Sequence, residues 1–208
     1  MVKKLNRIKI EEKLKAEGFE VFTQREFQGL FSVSSNTAGV YISKNVHSGL
    51  FVKLRNGFYL VKDSLPDRPF IAGKLYQPSY ISLETALSHY HIIPEVVYAT
   101  TSITTKAARE FTTPIGIFIY QQIKVPAFTG YQLGVVDRHK ALIAEPEKAL
   151  ADYLYFVDLK QRVLNDRLRL KGLKQTKLLA YAKLFQRPSL LKLIRHVYVE
   201  SRKPTRIY

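Results

Sequence analysis

The chain has 208 residues, with 33 Lys and Arg against 17 Asp and Glu, a net charge of +16 and a pI near 9.9. That length and apolar content suit one or two domains with real cores, and the charge suits a polyanionic partner. The lack of cysteine excludes disulfides, thiol catalysis and any zinc site built on cysteine. The opening MVKKLNRIKI is too polar for a signal peptide, and no run nears the roughly 18 apolar residues of a membrane span. A soluble, cytoplasmic, bacterial-type protein with no membrane partner is expected.

Residues 8–17 read as a helix with Ile10 and Leu14 on one side, and Thr23 caps a short second helix running to Phe31. Ser35 then reads as the N-cap of a third helix. Ala38, Ile42 and Val46 recur along it at four-residue steps, and Gly49 ends it. Two β-prone runs follow, residues 50–54 and 58–61, joined by Asn56-Gly57. That dipeptide is the strongest short hairpin signal, because a type I′ turn needs positive φ at both central residues. Three helices and a hairpin, in that order, are the plan of a winged helix-turn-helix, whose third helix lies in the DNA major groove. DSLPDRP, residues 63–69, breaks the pattern with two prolines and alternating charge. It divides the chain into a winged-helix domain, residues 1–68, and a second domain, residues 69–208.

In the second domain the pattern predicts a helix over residues 80–90, with Leu83, Ala86, Leu87 and Tyr90 on one face. Buried strands are predicted at residues 96–103 and 115–123, the latter with Gly116 inside it. Residues 131–136 and 140–144 read as a hairpin turning at Asp137-Arg138. Glu145-Pro146-Glu147-Lys148 opens a helix to Asp158, proline suiting the first turn and Glu147 the positive end of the dipole. The last fifty residues read as amphipathic helix, with Leu164, Leu168, Leu178, Leu179, Leu190, Leu191 and Ile194 facing inward. The predicted fold class is α+β: a winged helix followed by a mixed α+β domain with a helical tail. Charge is unevenly spread. Residues 1–68 hold 12 basic and 7 acidic side chains, residues 69–159 hold 7 and 8, and residues 160–208 hold 14 and 2.

On the third helix, with Ala38, Tyr41, Ile42 and Val46 turned to the core, the opposite face presents Asn36, Val40, Ser43, Lys44 and His47. Asn can pair with adenine, Ser can reach bases or phosphates, and a valine can touch a thymine methyl. Ser35 and Thr37 suit capping or phosphate contact. In the wing, Lys53, Arg55 and Asn56 are placed to meet phosphate or the minor groove, or simply to solvate a hairpin tip. His89 and His91 alternate on a helix and point apart, so core or surface roles suit them better than metal binding. Lys148 and Asp152 are four apart and can pair, which makes the acidic cluster around Glu145, Glu147 and Asp152 structural. No phosphate-binding glycine loop, nucleophile elbow or nucleotidyltransferase aspartate pair is present, so no enzyme, metal or cofactor is expected. The tail cations, Lys171, Lys174 and Lys177 among them, are candidates for additional nucleic-acid or partner contacts.

Five blocks follow one another in order: RNGFYLV (residues 55–61), PSYISLETALSHYHIIPE (78–95), YATTSIT (98–104), FIYQQI (118–123) and AEPEKALADYLY (144–155). Together they resemble the AbiEi family of type IV antitoxins, over roughly residues 5–160. The resemblance implies an N-terminal winged helix joined to a C-terminal α+β antitoxin domain. It also implies a repressor of its own operon that opposes a nucleotidyltransferase-like toxin, encoded next door, without forming a stable complex with it. The expected DNA partner is an operator built as an inverted repeat. Two other readings stay open beside this one, an RNA-binding protein and a basic protein-interaction module.

Overall fold

A computed structural model describes residues 6–201; residues 1–5 of the polar opening stretch, and Arg202, Lys203 and Arg206 of the basic tail, lie outside the described residues. The first helix, α1 (Arg7–Ala16), is capped by Asn6, whose Oδ1 accepts from the Ile8 N–H at 3.0 Å, and it buries Ile10 and Leu14. A short strand, β1 (Val21–Thr23), leads into α2 (Gln24–Phe31) through a capping box: Thr23 Oγ1 accepts from the Glu26 N–H, and the Glu26 carboxylate accepts from the Thr23 N–H. The third helix, α3 (Ser35–His47), is capped by Ser34 rather than by Ser35, since it is the Ser34 hydroxyl that accepts from the Thr37 N–H at 3.2 Å. Gly49 follows the helix with φ +77°, as a terminator should.

Strands β2 (Phe51–Arg55) and β3 (Phe58–Val61) form the hairpin, and β1 adds to β3, giving an antiparallel sheet in the order β1-β3-β2. The turn differs from the expected type I′. Only Gly57 takes positive φ, and the register shifts between Lys53 and Arg55 to absorb the difference. Ile10, Leu14, Phe22, Phe27, Ala38, Ile42, Leu50, Phe51 and Val61 close a core between the three helices and one face of this sheet. Aromatic edges fill it, with Phe22 and Phe51 at 5.0 Å in a T-shaped contact.

After a 3-10 turn (Lys62–Ser64), the elements are α4 (Arg68–Leu75), β4 (Ser79–Ile81), α5 (Leu83–His89), β5 (Thr100–Thr104), β6 (Arg109–Thr113), β7 (Gly116–Gln122), β8 (Tyr131–Val136), β9 (His139–Ala144), α6 (Pro146–Asp158), α7 (Gln175–Lys183) and α8 (Pro188–Glu200). Six strands make one mixed sheet in the order β6-β7-β5-β4-β9-β8, parallel at β5/β7 and β4/β9 and antiparallel elsewhere. The α+β class, the β8–β9 hairpin and the bounds of α6 agree with the pattern reading. The helix predicted over residues 80–90 starts three residues late, because Ser79, Tyr80 and Ile81 are all buried and join the sheet as a strand. A run covered on both faces has no periodicity to declare itself. The strand predicted from residue 96 begins at Thr100, leaving Val96 and Tyr98 exposed, and β6 has no counterpart in the sequence pattern. Gly116 opens β7 rather than lying inside it. The tail is not continuous helix: residues 159–174 are irregular, with Leu164 and Leu168 packed from a loop.

The division near residue 68 is a linker in the chain but not a gap in the packing. Val21, Leu54 and Leu60, on the second face of the small sheet, belong to the same buried cluster as Ile71, Leu75 and Phe118. The small sheet is therefore covered on both faces.

Candidate nucleic-acid interface

The outward face of α3 is built as the spacing requires. Ala38 and Ile42 are buried and Tyr41 and Val46 pack on the core, while Asn36, Val40, Ser43, Lys44 and His47 are exposed. Val40 is 63% exposed, a high value for an aliphatic side chain with no partner in the fold. The helix carries no acidic residue. His47 Nδ1 lies 3.1 Å from the Ser43 carbonyl; in the tautomer that donates there, Nε2 is left as an acceptor. An open depression runs along this face, lined by Gln24, Ser35, Asn36, Gly39, Val40, Ser43, Lys44 and His47.

Gln24 is the residue that pattern reading missed. Its Nε2 donates to the Ser35 carbonyl at 2.9 Å and lies 3.2 Å from the Ser35 hydroxyl, which ties the start of α2 to the start of α3. The available signal was its position directly after the Thr23 cap. Asn45 was also unforeseen: it is buried on the inward side, where Nδ2 donates to the Tyr41 carbonyl at 2.8 Å. Thr37 is half-buried, its hydroxyl 2.9 Å from that of Ser34, so its polar atoms belong to the cap.

The β2–β3 hairpin departs from expectation at Arg55. Its Nε and Nη2 donate to the Leu75 carbonyl at 3.0 and 2.7 Å, and the guanidinium lies 3.7 Å over the Phe58 ring and 5.3 Å from that of Phe111. Burial there pulls its pKa below the ordinary value. Arg55 is thus turned onto α4, where it satisfies the carbonyl at the C-terminal end of that helix, and is not presented at the hairpin tip. Lys53 and Asn56 remain exposed.

The SYIS and PEKALAD blocks meet where β4 and Ser82 pack against α6. Asp152 of α6, fully buried, accepts from Tyr80 OH at 3.0 Å and Ser82 Oγ at 2.8 Å, and it pairs with the equally buried Lys148. Burial pushes the Asp152 carboxyl up from its ordinary value, against the pull of the Lys148 ammonium and the two hydroxyls. With no solvent access to either charge, this cluster is a polar core. Beside it, Glu145 pairs with Lys177 at 3.0 Å and accepts from Tyr181 OH, whose pKa burial and that carboxylate push up to about 12. Glu147 does more than complement the helix dipole: its Oε1 accepts from the Lys174 N–H at 3.1 Å.

The basic tail is less available than its composition implies. Lys177 is held by Glu145 and Glu147, Arg162 by Glu84, Arg167 by Glu95 and Arg187 by Asp158. Lys171 and the Lys174 side chain are exposed. The three tail lysines singled out in the sequence therefore divide two to one. The α3 face and the tail lysines lie on separate elements.

No family model matches this chain, and no curated protein matches it either. Among solved structures, it is similar to the crystal structure of the RV2827C protein from Mycobacterium tuberculosis, with 14% identity and a TM-score of 0.44 over 94% of this chain and 81% of that one. Among the described residues, no helix is long and apolar enough to cross a membrane, and no group of three or more His, Cys, Asp or Glu is placed to hold a metal.

Proposed function

We propose that this chain is a DNA-binding autorepressor and antitoxin of the AbiEi type. In this reading α1, α2 and α3 with the β2–β3 hairpin are a winged helix-turn-helix and α3 is its recognition helix. The observation that carries it is the outer face of α3, where Asn36, Val40, Ser43, Lys44 and His47 are exposed together on a helix without a carboxylate. Asn36 reads adenine, Val40 meets a thymine methyl, and Lys44 with Ser35 and Ser43 anchors phosphate. Lys53 and Asn56 extend the contact from the wing, while Arg55 holds the wing's angle against the second domain. The operator is an inverted repeat upstream of the chain's own operon, bound by two copies in the cytoplasm. The second domain opposes a nucleotidyltransferase-like toxin without a lasting complex, and neither cofactor nor catalysis is involved.

Fluorescence anisotropy with the full chain and a labelled operator duplex tests the DNA reading. Full length matters, because a fragment ending at residue 68 would bare Val21, Leu54 and Leu60. Asn36→Ala is expected to lose about 1–3 kcal/mol of discrimination at one base pair. Lys44→Ala is expected to weaken all sequences alike and to reduce the salt slope by about 0.9. Wild-type affinity and salt slope in both variants would move the DNA surface off α3. Co-expression with the neighbouring toxin gene tests the antitoxin part, with growth rescue as the readout.

A further inference from the structure

The large sheet opens between two of its central strands. β4 is three residues long and meets β9 through a single pair, Ile81 with Ile143. β9 extends back from that pair to His139, with β8 alongside it, whereas β4 ends at Ser79. The opening is a cleft of about 780 Å³, walled by the end of α4, the Gln77-Pro78 segment and the β8–β9 hairpin. That is within the size range of small-molecule sites.

Its lining is chemically specific. Lys74, Lys106 and Lys140 border it, with Phe128 and Tyr131 between them, and no carboxylate is among the lining residues. None of the three lysines has a carboxylate within ion-pair distance among the described residues, unlike the paired cations of the tail. The aromatic wall is braced from behind: Tyr131 stacks on the fully buried Tyr80 at 4.5 Å and 16°, and Phe128 lies 5.2 Å from Tyr131. Lys106 is braced as well, since its N–H donates to Thr104 Oγ1, which itself donates to the Pro78 carbonyl at 2.7 Å. Ser79, 5% exposed, also lines the cleft, and its hydroxyl is a buried polar atom with no hydrogen-bond partner. A buried hydroxyl left unpaired is costly and calls for a partner.

We infer that this cleft binds a nucleoside phosphate, with the base against Phe128 and Tyr131, phosphate oxygens on Lys74, Lys106 and Lys140, and a ligand polar group on Ser79 Oγ. Aromatic faces accept any base by stacking, and lysine ammoniums bind phosphate as point charges, so the site takes the class without selecting one base. A free nucleotide and the terminal nucleotide of a single strand share this chemistry. The site is separate from the α3 face and does not depend on the DNA reading.

Isothermal titration of the full chain with ATP, UTP, inorganic triphosphate and a 5′-phosphorylated hexathymidylate tests the proposal. Both nucleotides are expected to bind one per chain, and more tightly than triphosphate. The Lys106→Ala, Lys140→Ala double variant is expected to weaken them about tenfold or more, the loss of charged hydrogen bonds. Ser79→Ala should weaken them several-fold, and Phe128→Leu should erase the preference over triphosphate. Thermal stability should be unchanged in the lysine double variant, which shows that the fold is intact. Tighter binding of the hexamer than of UTP would identify the strand terminus as the source, and the reverse a free nucleotide. No binding, equal binding of triphosphate, or indifference to the lysine and serine variants with wild-type thermal stability would overturn it.

Discussion

Removing the Asp152 carboxylate should come close to unfolding the protein. In Asp152→Ala the Lys148 ammonium, 0% exposed, loses its counter-ion, and breaking a buried pair from one side costs about 3–5 kcal/mol. Tyr80 OH and Ser82 Oγ also lose their acceptor, adding about 1 kcal/mol each. The total, about 5–7 kcal/mol, is a large part of the roughly 5–15 kcal/mol by which domains are stable. With a urea slope of about 2–3 kcal/mol per molar, the unfolding midpoint should fall by about 2–3 M. Lys148→Met should cost less, because the remaining carboxyl keeps two hydroxyl donors and burial favours its protonated form. The Lys148→Met, Asp152→Ala double variant buries no charge and should be more stable than Asp152→Ala alone. The reasoning fails if Asp152→Ala costs under about 1 kcal/mol, or if the two single costs add to within about 0.5 kcal/mol in the double variant.

Three other outcomes are expected. Asp67 joins the linker to the β8–β9 turn: burial alone would raise its pKa, but His139 and the Arg138 N–H and guanidinium outweigh it and bring the value to about 2. Its stabilisation is complete above the ordinary value of 3.8 and is lost as pH falls through about 2, so Asp67→Asn should flatten the acid limb of a pH–stability curve by about 1–2 kcal/mol after solvent screening. Arg55→Ala should lower thermal stability by about 1–3 kcal/mol, through the lost bonds to the Leu75 carbonyl, while leaving the salt slope of operator binding as it was; a flattened slope with unchanged stability would return Arg55 to the DNA. Charge reversal at Lys171 and Lys174 should leave the fold intact and flatten the salt slope if the tail touches DNA phosphates. Lys177→Glu should instead destabilise the protein by facing Glu145 and Glu147, and equal melting temperatures for the two variants would contradict that division.

Local signals decided much of this fold before any tertiary contact. Thr23 with Glu26, the four-residue steps of Ala38, Ile42 and Val46, Gly49, Pro146 and the β8–β9 turn each act within a few residues, so the sequence alone placed α1, α2, α3, the first hairpin and α6, and with them the outer face of α3. What it left open depends on partners far along the chain. β1 and β4 are three-residue strands that exist because β3, β5 and β9 are there to bond them, and a segment buried on both faces shows neither period. Arg55 read as a free cation because nothing near it in sequence reveals the Leu75 carbonyl twenty residues on. The tail read as a continuous positive field because the carboxylates that neutralise Arg162, Arg167, Lys177 and Arg187 lie in residues 84–158. The cleft between β4 and β9 is the furthest from sequence: Lys74, Ser79, Lys106, Phe128 and Lys140 are spread over 67 residues, and only the splitting of the sheet brings them together. Helix caps, turns and amphipathic faces are short-range and so are written locally, whereas pairing, charge neutralisation and concave sites are made by chain crossings that no local pattern encodes.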